Sequence, residues 1–263
     1  MTRVGPYELQ DVLGQGGQGL VARARHTQTG ALVALKVLLE ASPDPATRGR
    51  FEQEASVLAR LSHPNVVRVV ERGEDHGRPW IAMALVEGPS LDALSKQGRL
   101  SVSDVAALLA RVARGVAYLH EVGIVHRDLK PANIIVETAT GRPVLVDFGM
   151  VKRDPARLSL TRDGGPLSVA GELLGTPWFM APEQADPGGE FGPVGPWSDV
   201  HGLGATLYAL VVGQPPFARP TVLETLRQLL ECEPQPPREL VPGLPVALDA
   251  LILRTLTKRT ADR

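Results

Sequence analysis

The 263-residue sequence predicts an α+β chain of two lobes, a small antiparallel β-sheet with one helix over about residues 1–86 and a larger, mainly α-helical lobe over about 87–263. Three observations carry this. Up to residue 86 short apolar runs follow one another across turn-rich breaks, which reads as five strands interrupted by one helical pattern. From Ser101 onward a 3.6-residue apolar period takes over. Glycine and proline, 27 and 23 residues, gather in the opening loop, in 164–196 and in 213–245, and mark those stretches as irregular.

Taken in order, the first feature is Leu13-Gly14-Gln15-Gly16-Gly17-Gln18-Gly19-Leu20-Val21, whose glycines spell G-x-G-x-x-G. That spacing opens both a dinucleotide-binding strand–turn–helix and a strand–turn–strand that covers nucleotide phosphates, so alone it decides nothing. The context decides. Runs 20–25 and 31–38 flank the turn-rich 26–30 and form a hairpin. A dinucleotide fold needs a helix directly after Gly19 and an acidic residue about 20 positions on; here strand follows strand and the charge is Lys36. Residues 47–61 then carry Phe51, Ala55, Leu58 and Leu61 on one helical face, closed by Ser62-His63-Pro64-Asn65. Strands are expected at 66–70 and 80–86, joined by a turn around Gly73 to Gly77. Ser101-Val102-Ser103-Asp104 resembles a capping box ahead of a stripe of Val105, Leu108, Leu109, Val112, Val116 and Leu119.

Composition limits the function. With 28 Lys plus Arg against 29 Asp plus Glu, the formal charge of −1 gives no field that would draw nucleic acid or an anionic membrane. The apolar window 203–212 is too short for a bilayer, which needs about 20 residues, and reads as a buried helix. No membrane segment is expected in the chain. The N-terminus carries no apolar stretch fit for a signal peptide, so export is not expected. Cys232 alone allows no internal disulfide and no cysteine-built zinc site, and suits a reducing compartment. A cytoplasmic location is the expectation.

The chemistry sits in Val125-His126-Arg127-Asp128-Leu129-Lys130-Pro131-Ala132-Asn133, in Val144-Leu145-Val146-Asp147-Phe148-Gly149, and in Ala181-Pro182-Glu183. Occurring together in this order with the glycine loop and Val33-Ala34-Leu35-Lys36, these motifs resemble the eukaryotic-type (Hanks-type) serine/threonine protein kinases, most closely the bacterial branch, over essentially the whole chain. The resemblance implies a bilobal protein-kinase-like fold, ATP and Mg²⁺ as cofactors, and transfer of the γ-phosphate of ATP to Ser or Thr hydroxyls of proteins. Phosphoryl transfer asks a protein chiefly for charge neutralisation and alignment, and each motif supplies part of that.

By the resemblance, the loop from Leu13 through Gly14, Gln15, Gly16, Gly17, Gln18, Gly19 and Leu20 to Val21 closes over the phosphates, with Leu13, Val21 and Ala34 against adenine. Lys36 holds the α- and β-phosphates with Glu54 of the following helix as ion-pair partner, although Glu52 is also on offer there. Met83 is the gatekeeper, and Ala84 and Val86 present backbone groups to adenine. Asp128 takes the substrate hydroxyl proton; Asn133 and Asp147 are hard oxygen ligands suited to Mg²⁺. Lys130 and Thr176 mark the Ser/Thr class. Asp199 ties down the catalytic loop, His126 packs in the core, and Glu183 pairs with Arg263.

Arg127 is expected to bind a phosphate on the activation segment, where Ser168 and then Thr161 are the preferred acceptors. Autophosphorylation of that segment, within a dimer, follows as an expectation. The sequence departs from the family at Gln18, at Ala84 where a hinge glutamate is frequent, and at His201-Gly202 where Tyr-Ser is common. It also stops at Arg263, before a final helix that the family carries. None of these departures removes a group the chemistry requires. Two other functions share the fold: a non-catalytic scaffold, opposed by the presence of Lys36, Asp128, Asn133 and Asp147, and a small-molecule phosphotransferase, opposed by Lys130-Pro131, Thr176 and Ala181-Pro182-Glu183.

Overall fold

Along the strand Gly19–His26, Ala22 and Ala24 are buried while Arg25 is exposed, the two-residue alternation of a half-buried sheet. A computed structural model of the chain describes residues 3–16, 19–38, 59, 61–147 and 177–263. These fall into two units, one up to Glu87 and one from Gly88 onward.

The first unit is an antiparallel sheet of β1 (Arg3–Val4), β2 (Tyr7–Gly16), β3 (Gly19–His26), β4 (Leu32–Val37), β5 (Val69–Asp75) and β6 (Arg78–Ala84), in the order β1-β2-β3-β4-β6-β5. It has six strands rather than five, because Arg3–Val4 folds back onto Tyr7–Glu8. The last hairpin also runs differently from expectation, beginning at Val69 instead of 66 and turning at His76-Gly77 instead of across Gly73 to Gly77. His76 and Gly77 both have positive φ, 47° and 76°, the signature of the tight turn whose twist matches paired strands. Backbone pairing down to Asp75 and Arg78 therefore extends the hairpin through polar residues that an apolar pattern cannot mark. One face of the sheet packs Val4, Tyr7, Ala24, Val33, Leu35, Val37, Trp80 and Ala82 into a core. Tyr7 meets Trp80 edge-on at 5.4 Å and donates its hydroxyl to Glu71 at 2.9 Å. Burial and the Glu71 carboxylate push that phenol up to about 12. The helix expected over 47–61 lies, apart from 59 and 61, outside the described residues.

The second unit is mainly helical. α1 (Leu91–Lys96) and α2 (Val102–Glu121) are followed by the hairpin β7 (Ile134–Glu137) and β8 (Arg142–Leu145). After it come α3 (Pro182–Ala185), α4 (Pro196–Val212), α5 (Val222–Glu231), α6 (Pro237–Leu240) and α7 (Val246–Thr255). The Ser101 hydroxyl accepts from the Asp104 N–H at 3.1 Å and the Asp104 carboxylate accepts from the Ser101 N–H at 3.1 Å, so the capping box at the head of α2 is complete. Of the expected stripe Val105, Leu109, Val112, Val116 and Leu119 are buried, while Leu108 is half-buried. α4 is buried without a break from Gly204 to Leu210 and lies against α2 and α7, which makes it the central helix of the unit. No helix among the described residues is long and apolar enough to cross a membrane.

Candidate active site

In the first unit the glycine loop closes the β2–β3 hairpin, with Gly14 opposite Val21, Gln15 opposite Leu20 and Gly16 opposite Gly19. The glycines answer to different demands. Gly19 has φ 146°, and a Cβ there would stand 2.3 Å from the Val37 carbonyl oxygen, so strand β4 alone requires glycine. At Gly14 a Cβ would meet nothing within 4 Å among the described residues, so none of their atoms accounts for the bare backbone. That bareness fits an outside ligand whose phosphates approach the main chain closely. Leu13 is 50% exposed.

Strand register places the remaining candidates. Lys36 lies opposite Val21 on β3, and Ala34 lies opposite Met83 on β6. Because side chains alternate, Val21, Ala34, Lys36 and Met83 share the sheet face opposite the core. Lys36 is only 4% exposed, which sets it apart from an ordinary solvated lysine at a strand end. The Ala84 N–H is donated to the Arg68 carbonyl at 2.8 Å, so of its backbone groups only the carbonyl can serve a nucleotide base. Val86 follows β6 and is half-buried.

In the second unit three short devices bring the polar residues together. Asn133 immediately precedes β7 and Asp147 follows β8 by one residue. Pairing of Ile134 with Leu145, extended by a bond from the Val146 N–H to the Asn133 carbonyl at 3.0 Å, sets both at the same end of the hairpin. A turn at Pro131–Asn133 directs the Asn133 amide back to Asp128, donating to its carbonyl at 2.9 Å and to Oδ2 at 3.1 Å. Both acceptors lack hydrogen, so the amide nitrogen must face Asp128, and the carboxamide oxygen is the atom that remains to coordinate a cation. That donor set, a neutral amide oxygen beside the Asp147 carboxylate, suits Mg²⁺. Lys130 Nζ donates to Asp128 Oδ2 at 2.8 Å, placing a fixed positive charge on the carboxylate.

Asp199, in the first turn of α4, anchors this loop. Its carboxylate is 1% exposed as part of a buried residue and accepts from the backbone N–H groups of His126 and Arg127 at 2.8 and 2.7 Å, and from His120 Nε2 at 2.8 Å. Arg127 needs this restraint because its φ is 65°, a left-handed conformation that is unfavourable for a residue with a side chain. Its carbonyl is gripped from the other side by Gln184 Nε2 at 3.1 Å. Burial lowers the pKa of His126, opposed by Asp199, Asp128 and Asp147, which agrees with a ring that accepts from the Asp128 N–H through Nδ1 at 3.2 Å. Glu183 and Arg263 form a two-pronged ion pair at 2.6 and 2.8 Å, as expected from the sequence.

Asp128, Lys130, Asn133, His126 and Asp199 are thus joined in one hydrogen-bonded group, with Asp147 at the end of the adjoining hairpin. Gly17, Gln18, Glu54, Phe148, Gly149, Thr161, Ser168 and Thr176 lie outside the described residues. His120 and Gln184 belong to the site's support and escaped sequence reasoning. Gln184, a polar residue directly behind Ala181-Pro182-Glu183, offered a signal; His120, on the last turn of an otherwise ordinary amphipathic helix, offered none.

Comparison with known proteins gives a consistent result. The protein kinase domain family matches residues 7–263. The chain is 41% identical to the DNA damage-responsive serine/threonine-protein kinase RqkA of Deinococcus radiodurans, over 98% of this chain and 37% of that protein. It is 39% identical to the serine/threonine-protein kinase PkaA of Streptomyces coelicolor, over 98% of this chain and 47% of that one. The chain therefore spans less than half the length of these curated relatives. Among solved structures, the PknI kinase domain of Mycobacterium tuberculosis is similar with a TM-score of 0.75 at 29% identity, covering 100% of this chain and 93% of that one.

Proposed function

The chain belongs to the protein kinase domain family, and from that premise we propose that it is an ATP-dependent serine/threonine protein kinase, transferring the γ-phosphoryl group of ATP to Ser or Thr hydroxyls of protein substrates. The observation that carries this reading is the Asp128 carboxylate, held by Lys130 at 2.8 Å and Asn133 at 3.1 Å on a loop that Asp199 fixes. A carboxylate pinned in this way acts as the base for an acceptor hydroxyl. Its proton passes to Asp128 as the oxygen bonds to the γ-phosphorus and ADP departs, a positioned proton transfer contributing about 10²- to 10⁴-fold.

Asn133 and Asp147 hold Mg²⁺, which neutralises charge on the phosphates. Lys36 takes the α- and β-phosphates with Glu54 as its partner. The loop from Leu13 to Val21 covers them, while Val21, Ala34 and Met83 border adenine and Ala84 and Val86 present main-chain groups to it. Lys130 also offsets negative charge on the transferred group, and Thr176 aligns the acceptor segment. Arg127 receives a phosphate placed on Ser168 or Thr161 by autophosphorylation within a dimer. The setting is the cytoplasm and the role is signalling.

The test is incubation of the protein with γ-labelled ATP, Mg²⁺ and a generic basic protein, followed by phosphoamino acid analysis. Label on serine or threonine is the expected result; label on tyrosine alone, or none, contradicts the proposal.

A further inference from the structure

Gln184 is the third residue of α3 and is 9% exposed. Its amide is used in two directions. Oε1 accepts the Ala181 N–H at 3.0 Å, and Nε2 donates to the Arg127 carbonyl at 3.1 Å, 57 positions earlier in the chain. One partner offers only a hydrogen and the other only an oxygen, so together they fix which way the amide faces.

The first bond has an ordinary explanation. Glutamine or glutamate at the third position of a helix commonly accepts the N–H of the residue that precedes it, and either side chain serves for that. The second bond needs a donor, which an ionised glutamate lacks. It falls on a particular peptide unit. The Arg127 carbonyl and the Asp128 N–H share one rigid plane. Its oxygen is held by Gln184 and its hydrogen by His126 Nδ1 at 3.2 Å, while Arg127 sits at a φ of 65°. The tilt of this plane sets the direction in which the Asp128 side chain leaves the backbone.

We infer that Gln184 is a positioning residue for Asp128. Its amide fixes the peptide plane from which the carboxylate projects and ties that plane to Ala181, two residues beyond the turn Pro177–Phe179. The segment that follows Thr176 in the sequence and the loop that carries Asp128 are thereby joined through one side chain. Asp199 does not duplicate this, because it holds the N–H on the other side of Arg127. The inference rests on the reading of Asp128 as the base for an acceptor hydroxyl. Since misplacing a reacting group by about 1 Å can cost roughly 10²-fold in rate, losing control of this plane should appear in turnover.

The experiment compares the natural chain with Gln184→Glu and Gln184→Met in transfer from γ-labelled ATP, with Mg²⁺, to a basic protein between pH 6 and 8. Turnover is expressed per ATP-binding molecule, and a thermal melt of each chain is recorded alongside, so that loss of folded protein is not read as loss of rate. In Gln184→Glu the new carboxyl keeps the bond from Ala181. When ionised it turns an oxygen toward the Arg127 carbonyl; when protonated its O–H replaces the lost N–H, and burial beside a carbonyl favours that neutral form.

Turnover of Gln184→Glu is expected to be about ten- to a hundredfold below the natural chain at pH 8 and to recover toward it, as a ratio, at pH 6. Gln184→Met should stay low at every pH, with KM for ATP unchanged in both. A residue that only capped α3 would leave Gln184→Glu at natural turnover throughout. That result, natural turnover in Gln184→Met, or a deficit in Gln184→Glu that does not change with pH would overturn the inference. A natural chain that transfers no phosphate would instead refute the role given to Asp128, and hydrogen exchange at the Asp128 amide then decides the positioning by itself. Faster exchange in Gln184→Met supports it, and unchanged exchange overturns it.

Discussion

Asp199 Oδ1 accepts the backbone N–H of Arg127 at 2.7 Å and so holds Arg127 at a φ of 65°. The strained residue immediately precedes Asp128, and the strain, of the order of 1–3 kcal/mol, is sustained only because the N–H is held by a buried carboxylate and the carbonyl by Gln184. In Asp199→Asn an NH₂ group must face one of the two backbone donors. The expected result is a stability loss of about 1.5–3 kcal/mol in urea denaturation, together with a lower turnover in the kinase assay at unchanged KM for ATP.

The two glycines of the loop should separate by what each one serves. Gly19→Ala drives a Cβ to within 2.3 Å of the Val37 carbonyl and should lower the melting temperature of the chain. Gly14→Ala meets nothing within 4 Å among the described residues and should leave the melting temperature unchanged while raising KM for ATP several-fold. Thermal melts of both variants beside ATP titrations check the pair.

The Glu183–Arg263 pair is fully buried on both sides, and Arg263 also donates to the carbonyls of Thr257, Trp197 and Lys258. Arg263→Ala strands a buried carboxylate that then has, among the described residues, only the Ser198 hydroxyl, at 2.8 Å. A loss of about 3–5 kcal/mol is expected from chemical denaturation, and Arg263→Lys should recover only part of it because an ammonium cannot reproduce the two-pronged contact.

His201 is wholly buried, stacked on Phe217, and neither ring nitrogen has a hydrogen-bond partner among the described residues. Burial holds its pKa well below the ordinary value, and the nearby Arg263 and Lys258 cations add to the lowering. The unfolded chain takes up a proton at about pH 6.5 that the folded chain refuses, so this contribution to stability is complete above that pH and is lost progressively as pH falls toward the folded pKa. The slope is at most about 1.4 kcal/mol per pH unit. Denaturation midpoints measured between pH 7 and 5 should fall more steeply for the natural chain than for His201→Phe.

Much of this was legible in the sequence because it depends on local pattern. The capping box at Ser101 and Asp104, the stripe down α2 and the hairpin after the glycine loop are each written in neighbouring residues. The motif residues Asp128, Asn133 and Asp147 could be named through the family resemblance that their short motifs carry. What was not legible depends on backbone geometry or on distant contacts. The β5–β6 hairpin extends through polar residues because His76 and Gly77 accept a tight turn, and the two-residue β1 gains its place only by folding onto β2. His120 joins the site across 79 positions of chain and Gln184 across 57, separations over which no periodicity carries information.

The central claim is that Asp128 serves as the base in phosphoryl transfer to protein hydroxyls. Its most direct test is the turnover of Asp128→Asn against the natural chain with ATP, Mg²⁺ and a basic protein acceptor, with nucleotide affinity measured in parallel. The account predicts turnover lower by about 10²- to 10⁴-fold with ATP affinity essentially retained; equal turnover in the two proteins would contradict it.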